Sequence, residues 1–194
     1  MKTYQDELDE MIDAVTKLTW NYTVFCALFE KKAADREARE AHPQFFLTLC
    51  DSLFCSFCVT TDLLFHEDKN GKATSLCNLI GDIEVSKPDL AKALKEKISA
   101  KRNLIEKVGI LRNQVCAHRW EAKAPQEVFS EAGVQPRMMK EIVDLSSLIV
   151  CELAGEAGGN RKETLERQQL SKTTLQCLAD DAAQVMRAFA EHVR

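Results

Sequence analysis

Glycine and proline are scarce in this chain, with seven and four among 194 residues. So few helix-breaking residues leave room for long uninterrupted helices. Strand-like alternation of apolar and polar residues is absent, and no internal repeat is visible. Walker A loops, dinucleotide fingerprints, serine-centred elbows and metal-binding histidine pairs are also missing, which makes those enzyme classes poor fits. Met1 to Glu10 lacks the basic-then-apolar order of an export signal, so a cytoplasmic chain is expected. Asp51 and Asp62 interrupt the most apolar stretch, Phe45 to Phe65, which is therefore expected to be a core helix and not a membrane span.

A basic surplus is lacking as well. Twenty-six Lys and Arg face thirty Asp and Glu, for a net charge of −4. The whole molecule has no basic footprint for nucleic acid, although a local basic site stays open. The eight cysteines are scattered through helical patterns and read as reduced thiols packed like small hydrophobes. Cys55 and Cys58 form a C-x-x-C, but no second pair and no suitably spaced histidine completes a ligand set. Neither a metal nor another cofactor is expected.

Helical periodicity is abundant. Leu8, Met11, Val15, Leu18, Tyr22, Phe25 and Phe29 recur every three or four residues and predict a long helix, running into the charged stretch Lys31 to Glu40. His42-Pro43 breaks it. A second helix is predicted over about Gln44 to His66. Phe46, Leu49, Leu53, Phe57 and Leu64 form its stripe, with Leu47, Phe54 and Cys58 beside it, so it belongs in the middle of a bundle. Glu67 to Lys72 is a polar turn, and a short helix follows over about Ser75 to Ile83.

Ser86 is read as the N-cap of a fourth helix, with Pro88 in its first turn and Asp89 three residues after the cap. Leu90, Leu94, Ile98, Ile105, Val108, Leu111 and Val115 trace one buried face, to about His118 or Trp120. A fifth helix is predicted from about Arg137 to Leu153, with Met138, Ile142, Leu145 and Ile149 inward. Gly155 to Asn160 is the strongest linker signal. The expected organisation is an all-α bundle over 1–154 and a helical appendage over 155–194. In that appendage Leu175, Leu178, Ala182, Val185, Phe189 and Val193 keep a seven-residue rhythm, able to pack on the bundle or on a partner.

The informative segment runs from Leu111 to Trp120: Leu-Arg-Asn-Gln-Val-Cys-Ala-His-Arg-Trp. Arg112-Asn113, four intervening residues and His118, with Ala117 before the histidine, resemble the hallmark of the HEPN superfamily. The run Trp20 to Ile80 resembles HEPN proteins of phage abortive-infection systems, the AbiU-like kind. The likeness covers the helix order to about Leu153 and little beyond Gly155.

The resemblance implies an antiparallel HEPN bundle that cleaves single-stranded RNA without metal, using the RNA's own 2′-hydroxyl as nucleophile. His118 would then be the general acid or base, because imidazole takes and gives a proton near neutrality. Arg112 would hold the scissile phosphate with its planar fork, and Asn113 would position the phosphate, the 2′-hydroxyl or His118. Lys107, Arg119, Trp120 and Lys123 are the expected substrate contacts. The resemblance also implies a homodimer with a composite site, a role in phage defence or toxin-like stress response, and a protein antitoxin or regulator as a further candidate partner. In HEPN toxins paired with a nucleotidyltransferase a Tyr commonly stands two residues after the His; here it is Trp120, which cannot accept a nucleotide. Trp120 would stack on a base or pack against a neighbouring helix.

Spacing agrees with a dimer. On a straight helix six residues separate Arg112 and His118 by about 120° and roughly 9 Å of rise, so one helix does not focus both on one phosphate. Two copies about a two-fold axis would. From Lys87 to Lys123 ten basic residues face four acidic ones, a surplus of six, leaving −10 elsewhere. Two readings of that surplus stay open: a channel for an RNA backbone, or a solvated face answering acidic neighbours. Likewise, a second reading makes Arg112 only an ion-pair partner and His118 only a polar helix terminus. Asp62 either faces the motif helix and orients Arg112 or is a surface residue, and His66 is read as a helix cap. The competing function is a catalytically silent HEPN module binding RNA or protein, and a third is a structural helical dimer using its C-terminal heptads.

Overall fold

The computed structural model describes residues 2–29, 40, 42–67, 74–113 and 133–156. These form α1 (Tyr4–Phe29), α2 (Pro43–Phe65), α3 (Leu76–Asp82), α4 (Pro88–Ala100), α5 (Arg102–Leu111) and α6 (Pro136–Glu156), with no strand among the described residues. The chain is all-α. The expected appendage lies outside the described residues.

The long α1 is the hub. It packs chiefly on α2 and α6, while α5 lies against α2. Leu8, Met11, Val15 and Leu18 are almost wholly buried, as their spacing requires. Thr16, Thr19 and Thr23 turn their hydroxyls back to the carbonyls of Ile12, Val15 and Thr19, so α1 buries them without orphaned donors. Contacts of Asn21 with Ser56 and of Phe25 with Phe54 set α1 and α2 side by side.

Proline punctuation fixes the starts. Pro43 and Pro88 occupy first-turn positions, where the missing N–H costs nothing. Ser75 caps α3 by accepting from the Asn78 backbone N–H at 3.2 Å. The short helix and the α6 helix stand where the periodicity puts them, with Ile142, Leu145 and Ile149 buried. Met139, however, takes the deep position, and its neighbour Met138 is only half-buried.

Three expectations change. The fourth helix is not continuous: it breaks at Lys101 (φ −110°, ψ 6°), whose N–H turns to Ile98 and Ser99. Its N-cap is Lys87, because the Ser86 hydroxyl donates back to the Ile83 carbonyl at 3.3 Å and caps nothing. Nor is α2 encased. Phe46, Phe54, Phe57, Cys58 and Leu64 are buried, but Phe45, Leu47, Val59 and Leu63 are each about half exposed. By length and composition α2 is apolar enough to cross a membrane, although Asp62 lies within it. About a third of its most apolar window is buried in the bundle.

Six cysteines lie among the described residues, Cys58 and Cys151 buried and the others partly so. None of Cys26, Cys50, Cys55, Cys58, Cys77 and Cys151 is in a disulfide. Burial, with Glu67 nearby, pushes the Cys77 thiol up to about 11, so it stays protonated near neutrality.

Candidate functional site

Three buried residues of α5, Leu104, Val108 and Leu111, anchor the helix against the core. That fixes where Arg112 emerges. At Arg112 and Asn113 the coil widens into a π turn. Such turns are rare, and they frequently mark functional sites. The 120° separation of positions 112 and 118 assumed a straight α-helix, and the π turn removes that premise.

Arg112 is partly exposed and held from two sides. Its Nε lies 3.7 Å from Asp62 Oδ2 on α2, an ion pair beyond hydrogen-bonding length. Its terminal nitrogen donates to Asn113 Oδ1 at 2.7 Å. Of the two readings of Asp62, the one facing the motif helix is therefore realised. Asn113 uses its carbonyl on Arg112 and keeps its amide donors. Those donors, with the guanidinium, suit anionic oxygens.

Lys107 does not join them. Five residues earlier on α5, it sits about 140° around the helix from Arg112. His118, Arg119, Trp120 and Lys123 lie outside the described residues.

Of the eight basic residues between Lys87 and Arg112, four pair with acids, Arg112 among them. Lys95 pairs with Glu84 at 2.6 Å and Lys101 with Glu141 at 2.8 Å. Arg102 reaches Glu106 at 3.2 Å and Glu67 at 3.8 Å. For these residues the pairs favour the solvated-face reading.

A cleft of about 220 Å³ opens beside the Arg112 pair, between the end of α2 and helices α4 and α5. Phe65, Ile98, Ile105 and Gly109 form its more buried part, and Asp62, His66, Glu67, Arg102 and Glu106 its exposed edge. Asp62 belongs to both the cleft and the ion pair. His66 is the C-cap residue of α2, as read from the sequence. No local sequence signal marks this cleft, because it is assembled from segments about forty residues apart.

In comparisons with known proteins, no family model, no curated protein and no solved structure matches this chain.

Proposed function

We propose that the chain is a cytoplasmic, metal-independent endoribonuclease of the HEPN type, acting on single-stranded RNA in phage defence or a related stress response. In this reading Arg112 and Asn113 grip the scissile phosphate, and His118 moves the proton. The RNA 2′-hydroxyl attacks phosphorus, the P–O5′ bond breaks, and the products carry a 2′,3′-cyclic phosphate and a 5′-hydroxyl. His118 of one protomer takes the 2′-proton and the equivalent imidazole, or water, protonates the departing oxygen.

The observation that carries this reading is the poise of Arg112. Its guanidinium is partly exposed at a π turn, anchored by Asp62 and Asn113, with donors left to meet a phosphate. Each member of the ion pair has an exposed apolar neighbour in sequence, Leu63 next to Asp62 and Ile110 two residues before Arg112. Apolar surface of that kind suits a two-fold contact that would complete the site.

The test is to incubate the full chain with single-stranded RNA and excess chelator, beside Arg112→Ala and His118→Ala. Cutting by the wild type that both substitutions abolish supports the enzyme. RNA binding without cutting by any version supports instead the silent HEPN module.

A further inference from the structure

We propose that the cleft over Gly109 seats one nucleobase of the RNA, a guanine adjacent to the phosphate gripped by Arg112. The proposal rests on the ribonuclease reading above and names which base the same site reads.

Gly109 is the first reason. It lies inside α5, where glycine weakens a helix relative to alanine. Packing does not demand it: a Cβ built there meets no atom within 4 Å, and its φ is not positive. What the missing side chain leaves is an open cleft floor.

Size is the second. About 220 Å³ falls below the roughly 300–1,000 Å³ of sites for drug-sized ligands, and suits a single flat ring system. Phe65, Ile98 and Ile105 offer it apolar contact.

Charge is the third. Three carboxylates and one guanidinium edge the cleft, which repels a phosphate and favours a group rich in donors. Arg102 holds Glu106 and Glu67 in place but leaves carboxylate lone pairs free. Guanine presents two parallel N–H donors on its Watson–Crick edge, the pattern a carboxylate fork accepts; uracil presents one donor between two acceptors. Single-stranded RNA exposes that edge for reading. Placement joins the two subsites: Gly109 precedes Arg112 by three residues, about 4.5 Å along the helix, and Asp62 borders both.

The test has two arms. Guanosine 3′-monophosphate and uridine 3′-monophosphate are titrated calorimetrically into the full-length wild type, Gly109→Leu, which fills the cleft, and the double variant Glu67→Gln/Glu106→Gln. In parallel, cut sites in a randomised RNA are sequenced. The wild type is expected to bind the guanosine nucleotide roughly tenfold more tightly, and to cut beside G with a similar preference. Both variants are expected to lose the selectivity. Equal binding of the two nucleotides, or selectivity unchanged in the folded double variant, overturns the guanine seat even if RNA is cut. Guanosine-selective binding lost in the variants, with no RNA cut by any of them, upholds the cleft and overturns the ribonuclease reading.

Discussion

Asp62 on α2 and Arg112 at the end of α5 face each other at 3.7 Å, tying two helices fifty residues apart at the residue on which the proposed chemistry turns. Both are partly exposed, so the pair contributes at most about 1 kcal/mol to stability. Its larger effect is on where the guanidinium points. Asp62→Asn is expected to leave the unfolding free energy within about 1 kcal/mol of wild type and to lower RNA cleavage on the order of tenfold. Denaturation curves and single-turnover rates on the same preparations separate the two effects.

Gly109→Ala is expected to stabilise the fold by about 0.5–1 kcal/mol. The new methyl meets nothing within 4 Å, and a mid-helix position rewards alanine over glycine. A shift in the urea midpoint without a change in slope checks it.

Thr61 is fully buried on α2, and its hydroxyl has no hydrogen-bond partner. Neighbouring Thr60 bonds back to the Ser56 carbonyl at 2.8 Å, which Thr61 does not. Thr61→Val keeps the shape and removes the orphaned polar atom, so a gain of about 1 kcal/mol is expected in chemical denaturation.

Cys77 gives the fold an alkaline limit. Its thiol ionises near 9 in the unfolded chain and about 11 in the folded one, burial being the main cause. Below pH 9 both states keep the proton and stability does not change on its account. Between pH 9 and about 11 the unfolded state loses the proton first, so stability falls as pH rises, by about 2–3 kcal/mol once complete. Cys77→Ala is expected to flatten that part of the pH–stability curve.

Periodicity made α1 and α6 legible, because each has one buried stripe at helical spacing. The break at Lys101 was hidden. Ile98 and Ile105 stand seven apart and keep the helical rhythm across it, and no glycine or proline marks it. Burial on α2 was overestimated for a related reason: composition counts Phe45, Val59 and Leu63 as core formers, but only neighbouring helices decide which side is covered. Within the candidate site, Arg112 and Asn113 were legible as a local motif. The engagement of Asp62 and the cleft over Gly109 were not, since both depend on how α2 meets α5.

The most direct measurement of the central claim is the chemistry of the RNA ends left by the full chain in excess chelator, read by mass spectrometry. The account predicts 2′,3′-cyclic phosphates and 5′-hydroxyls, formed by the wild type and lost in both Arg112→Ala and His118→Ala. Ends carrying a 3′-hydroxyl and a 5′-phosphate, or cyclic ends that persist undiminished in either variant, would contradict it.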